Sequence, residues 1–148
     1  MLSDAHLEKI FNQVERDYPR ESCGLIVRSI SNPEQCRVIP VRNAQNDLHR
    51  QSPAEYPRTA KTAYWMDPRA LLAIHKELRQ NGEEIAVIYH SHPDGEASFS
   101  QEDNRLALAE NGEPVYAEAA YLVISVIAGR AAGWKLFRWN AHEREFRA

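Results

Sequence analysis

A chain of 148 residues is long enough to bury one substantial core and is of the length of one domain, residues 1–148. With 43% hydrophobic and 26% charged residues the composition is that of a soluble globular protein. A net charge of −3 leaves no electrostatic footprint for nucleic acid or an anionic membrane as main partner. No apolar run approaches the roughly 18 residues of a membrane-spanning helix, and the charged opening MLSDAHLEKIFNQVERDYPR does not read as a signal peptide. A cytoplasmic location is therefore expected, with Cys23 and Cys36 as free thiols, one or both buried as small hydrophobes.

Leu7, Ile10, Phe11 and Val14 share one helical face. They predict a helix capped by Ser3 or Asp4 and ended by Pro19. CGLIVRSI (23–30) is rich in β-branched residues and reads as a strand. The turn chemistry of SNPEQ (31–35) joins it to CRVIPVRN (36–43) in a hairpin. Residues 44–62 show no period, and a structureless stretch of that length is more often functional or mobile than idle. AYWM (63–66) reads as a short strand. Asp67 and Pro68 suit the N-cap and first turn of a helix that carries Leu71, Ile74, His75 and Leu78 on one face and stops at Asn81-Gly82.

EIAVIYH (84–90) reads as a buried strand, residues 100–110 as a short helix, and AYLVISVIAG (120–129) with GWKLFRW (133–139) as a second hairpin. The expected fold class is α/β of the α+β kind, a mostly antiparallel sheet with about three helices.

The chemistry concentrates in YHSHPDGEASFSQEDN (89–104). Side chains two apart on a strand share a face, so His90 and His92 can converge while Ser91 turns away. They sit where the strand runs out into a loop, and Pro93 helps to end it. Two neutral imidazoles are good first ligands for Zn²⁺, which in catalytic sites takes a third protein ligand and keeps a position for water. Asp103 is the nearest good carboxylate; Asp94, Glu96 and Glu102 compete on spacing alone. Ser100 and Asp103 also fit S-x-x-[DE], the capping box that starts a helix. Such a helix could carry Asp103 in its first turn as a ligand. H-x-H by itself is weak evidence, and a polar loop or satisfied core histidines account for it more readily. A zinc hydrolase also needs a carboxylate to act as general base, and YPRESCGLIV (18–27) offers Glu21, for which a solvated loop position is the plainer explanation.

Glu21 with Cys23-Gly24, His90-Ser91-His92-Pro93, Ala97, Ser100 and Asp103 together resemble the JAMM motif of the JAB/MPN-type zinc metalloproteases. YPRESCGLIV, WMDPRALLAIHKEL and AYLVISV extend the resemblance over nearly the whole chain, toward the small stand-alone prokaryotic members. One departure is Phe99, where the family often has proline. The resemblance implies a JAB/MPN (cytidine deaminase-like) fold with a curved sheet. It implies Zn²⁺ on His90, His92 and Asp103, Glu21 as general base and Ser100 as oxyanion donor. It further implies amide hydrolysis after the C-terminal Gly-Gly tail of a ubiquitin-like or sulfur-carrier protein. Residues 44–62, beside 63–66, are the candidate wall of a groove for that tail.

Two other readings accompany this one. Phage tail-assembly proteins carry a similar domain, usually fused to a second peptidase domain. An inactive MPN scaffold for protein interaction would lack motif residues that this chain keeps. Cys23, at the start of a buried strand, is expected to be structural rather than a nucleophile. His49 could contact substrate but is more simply an exposed loop residue. His6, His75 and His142 have helix-face or tail explanations.

Overall fold

Residues 2–148 are described by the computed structural model, in the order α1 (Asp4–Asp17), β1 (Cys23–Ser29), β2 (Cys36–Val41), α2 (Gln45–Gln51), α3 (Pro68–Asn81), β3 (Glu83–Pro93), α4 (Gln101–Ala107), β4 (Ala120–Ile127), β5 (Arg130–Asn140) and β6 (Glu145–Arg147). The strands form one six-stranded sheet in the order β2-β1-β3-β4-β5-β6. All its pairs are antiparallel except β3–β4, which is parallel. No described helix is long and apolar enough to cross a membrane.

The central strands β1, β3 and β4 are covered on both faces. Ile10 and Val14 of α1 pack with Ile26, Val87, Tyr89, Leu122 and Ile124 on one face. Ile74 and Leu78 of α3 and Ala107 of α4 pack with Leu25, Ile88, Tyr121 and Val123 on the other. Central β4 is accordingly buried over seven of its eight residues, as expected of a strand sandwiched between helical layers.

The helix signals act as read. Ser3 caps α1, accepting from the His6 amide at 3.1 Å, and the His6 ring returns a bond to the Ser3 amide. Asp67 caps α3 with Pro68 following, and Gly82 closes α3 at φ 65°, in the left-handed region.

Three expectations are corrected. Residues 45–51 of the presumed irregular segment form helix α2, making four helices among the described residues. AYWM is not a strand; only Met66 makes an isolated bridge, to Asn43. The chain does not leave the sheet at the histidines, because β3 runs through Pro93 and pairs with β4 as far as Val126. Strand β6 was not anticipated. Its Phe146 fills an aromatic cluster with Phe99, Tyr121 and Trp139.

Candidate metal centre

The register of β3 sets the site. Ile88, His90 and His92 point to the α3/α4 face, and α4 begins on that face. Ser91 turns to the opposite side, where its Oγ accepts from the Ser22 amide at 2.8 Å and its own amide bonds the Ser22 carbonyl at 3.0 Å. That pair fastens the segment entering β1 to the strand of the histidines. Gly24 has a steric reason. It pairs with Tyr89, and a Cβ there would lie 2.2–2.5 Å from the Tyr89 ring and hydroxyl. The Tyr89 hydroxyl donates to Gln13, which in turn donates to the Cys23 carbonyl at 3.1 Å.

Asp103 arrives from the first turn of α4. Ser100 is the N-cap: its Oγ accepts from the Asp103 amide at 3.0 Å, and the Asp103 carboxylate accepts from the Ser100 amide at 2.9 Å. The capping box and the ligand position therefore coexist in one side chain. The Asp103 carboxylate lies 3.0 Å from His90 Nε2 and 3.1 Å from His92 Nε2, and the two Nε2 atoms are 3.1 Å apart. Of the competing carboxylates, Asp94 accepts from the Tyr18 hydroxyl and the Ala128 amide. Glu102 pairs with Arg105, and Glu96 is exposed.

Glu21, just before β1, is 6% exposed rather than solvated. A carboxylate oxygen of Glu21 and one nitrogen each of His90 and His92 all lie within 4.8 Å of one another. Burial pushes the Glu21 carboxyl up to about 8, although the charges of His92 and Arg58 pull it the other way. Burial also disfavours the charged forms of both imidazoles. His90 consequently lies below its ordinary value. In His92 the hydrogen bond and charge of Asp103 outweigh burial, and the direction is up. Burial acts against the Asp103 carboxylate too, but its bonds with the two histidines hold it well below the usual carboxylate range.

The donor set fits a small divalent cation. His92 Nδ1 lies 2.8 Å from the Glu96 carbonyl, which can only accept. In a neutral ring Nδ1 would then carry the proton, leaving the Nε2 lone pair for whatever lies between it, Asp103 and His90, a second proton or a cation. His90 Nδ1 is buried without a hydrogen-bond partner, so only what sits at Nε2 selects its tautomer. Two imidazole nitrogens and a carboxylate oxygen facing one another repel unless a proton or a cation lies between them. Ligands at about 2.0–2.1 Å around a tetrahedral Zn²⁺ stand about 3.3 Å apart, close to the 3.0–3.1 Å observed here.

Residues 3–141 match the family described as "Prokaryotic homologs of the JAB domain". The chain belongs to this family. Among curated proteins, the chain is 37% identical over 97 residues to a Thermus thermophilus protein named "Probable TtuB-protein conjugate cleaving protease". That match covers 66% of this chain and 55% of the relative. It is 32% identical over 110 residues to the "CysO-cysteine peptidase" of Mycobacterium tuberculosis, covering 74% of this chain and 62% of the relative. The alignments therefore span a little over half of each curated relative. A solution structure of a Desulfitobacterium hafniense protein is similar, with TM-score 0.65 and 27% identity, over 95% of this chain and 84% of that one. A Salinibacter ruber protein shares the fold with TM-score 0.60 at 22% identity, over 98% of this chain and 85% of that one.

In this JAB-family chain two further residues belong to the site's structure. The Tyr64 ring stacks on His90 with centroids 4.5 Å apart and planes inclined by 24°. Asn43 bonds the Glu21 carbonyl. Neither has a pattern that a linear reading detects, because each acts through a tertiary contact. Cys23 is buried and its thiol is pushed up by burial, in keeping with a structural role. His49 turns its ring to the Tyr56 carbonyl at 2.9 Å, and His75 meets the Tyr116 hydroxyl at 3.1 Å. Both cysteines are free thiols, Cys23 buried and Cys36 half-buried.

Proposed function

We propose that the protein is a zinc-dependent peptidase or isopeptidase that hydrolyses an amide bond. The observation that carries this reading is the convergence of the His90, His92 and Asp103 donor atoms beside the buried carboxyl of Glu21. His90, His92 and Asp103 would hold the ion, which supplies Lewis acidity toward the scissile carbonyl and an acidified water. Glu21 takes the proton from the attacking water and delivers it to the leaving amine. A buried carboxyl standing beside the two imidazoles is placed for that shuttle. Ser100 uses a lone pair to cap α4, which leaves its O–H free to donate to the developing oxyanion.

For substrate, we favour a ubiquitin-like or sulfur-carrier protein joined through a C-terminal Gly-Gly tail to an amine. The names of the relatives, a probable TtuB-protein conjugate cleaving protease and a CysO-cysteine peptidase, support that class.

The test is metal content and turnover together. Wild-type protein purified without chelator should carry about one zinc per chain, and His90→Ala/His92→Ala none. Glu21→Gln should keep the metal yet lose at least about 10²-fold in kcat on a Gly-Gly-tailed carrier conjugate. Zinc-free wild type that also fails to take up added zinc would defeat the metal reading; undiminished turnover in Glu21→Gln would defeat the general-base assignment.

A further inference from the structure

Glu21 precedes the first sheet residue, so strand pairing does not hold it. Its amide donates to the Ala60 carbonyl at 2.7 Å, and its carbonyl accepts from Asn43 Nδ2 at 2.9 Å. Both partners lie beyond β2, in the chain between the hairpin and α3. A primary amide has two N–H donors and two acceptor lone pairs, and Asn43 uses all four. Nδ2 also donates to the Ala63 carbonyl at 3.1 Å, while Oδ1 accepts from the Gln45 and Trp65 amides, both at 3.0 Å. The orientation is forced, since a flipped amide would set N–H against N–H and oxygen against carbonyl oxygen at every contact.

These four bonds tie together three pieces of the site: the segment of Glu21, the start of α2, and the stretch 63–65 that carries Tyr64 onto His90. Other contacts serve the fold of that stretch as well. The Ala44 amide bonds the Trp65 carbonyl at 2.7 Å, and Asn43 bridges Met66 through its backbone. The Asn43 side chain is thus not the sole support of the segment, whereas it is one of two anchors on the Glu21 backbone.

We infer that Asn43 is a positioning residue: its side-chain amide fixes the Glu21 carboxylate relative to the two imidazoles and joins it to the chain segment 44–65. This rests on the reading of Glu21 as general base. A proton-transferring group must stand within hydrogen-bond reach of the water, and a displacement of about 1 Å can cost 10²-fold in rate.

The experiment uses the zinc-loaded full chain and a Gly-Gly-tailed carrier conjugate as probe. Asn43→Asp keeps an oxygen facing the Gln45 and Trp65 amides but sets an oxygen against the Glu21 and Ala63 carbonyls. Asn43→Ala removes both halves. In Asn43→Asp, at a temperature where circular dichroism matches wild type, zinc content should be unchanged. There kcat should fall about tenfold or more, with KM within about twofold. Hydrogen exchange at the Gln45 and Trp65 amides should stay slow in Asn43→Asp and accelerate in Asn43→Ala. A folded, zinc-loaded Asn43 variant with wild-type kcat, or a loss confined to KM, overturns the inference. If Asn43→Ala does not fold, Asn43→Asp alone decides. Glu21→Gln run in parallel separates the two ideas. Activity surviving there sinks the general-base reading itself, whereas a dead Glu21→Gln beside fully active Asn43 variants sinks only the role of Asn43.

Discussion

At the scale of single residues, the site is costly to the fold. Glu21 is buried, and its carboxyl is raised from an ordinary 4.5 to about 8 by desolvation. In protein stripped of metal, the unfolded chain releases this proton as the pH passes 4.5, while the folded chain keeps it until about 8. The folded state then binds more protons, so the contribution of Glu21 to stability is intact below 4.5 and is lost as the pH rises through 8. At full ionisation the loss is on the order of 5 kcal/mol. Glutamine fills the same volume without titrating. Chelated Glu21→Gln should therefore match wild type near pH 4 and exceed it in stability at pH 8.5. Urea denaturation at the two pH values reads this directly. Parallel stability profiles for the two proteins would show that the Glu21 carboxyl is not held in a desolvating site. A residue that weakens the fold in this way is one whose placement is explained by chemistry rather than packing.

At the scale of elements, the histidines owe their geometry to β3 and its neighbours. The Glu96 carbonyl that sets the His92 tautomer stands in a turn fastened to β4. Ser125 Oγ donates to the Gly95 carbonyl at 2.5 Å, and the Asp94 amide donates to the Val126 carbonyl at 2.6 Å. Partners behind a ligand commonly contribute 10–100-fold in metal affinity. Ser125→Ala should thus weaken zinc binding by about tenfold in competition with a chromophoric chelator, with little change in circular dichroism. Unchanged affinity would mean that the Asp94 bonds hold the turn without Ser125. Much at this scale was legible in the sequence. The i, i+2 period of a strand places His90 with His92, and S-x-x-D places Asp103 at a helix start, because both are local rules. Helix α2 was not legible. QNDLHRQ carries one apolar residue, Leu48, and the helix has no side-chain N-cap. Its support is tertiary instead, through Asn43 and the Gln45 side chain on the Arg58 carbonyl at 3.1 Å. Strand β6 escaped for the same reason, since three residues have no period and only the burial of Phe146 explains them. Asn43 and Tyr64 are the corresponding misses at the site.

At the scale of the whole molecule, the side chains of the site come from three places: Glu21 from the approach to β1, His90 and His92 from the end of β3, and Asp103 from the first turn of α4. The central strands between them are covered on both faces by apolar side chains from α1, α3 and α4. This differs from small domains in which the metal substitutes for a core and whose chelation unfolds the chain. Here hydrophobic burial carries the fold, and a bound metal would add only its binding free energy. Chelated protein should keep its far-UV circular dichroism and melt cooperatively. Restoring free zinc to about 100 times its Kd should add about 2.7 kcal/mol, which for a chain of this size raises Tm by roughly 5–10 °C. His90→Ala/His92→Ala should fold and show no zinc-dependent rise, because the ligands are lost while the helices that cover the sheet remain. Collapse of secondary structure on chelation would reverse this ordering and make the metal part of the core. A zinc-dependent rise that persists in the double variant would place the ion elsewhere on the molecule, and the convergence of β3 and α4 would then need another explanation.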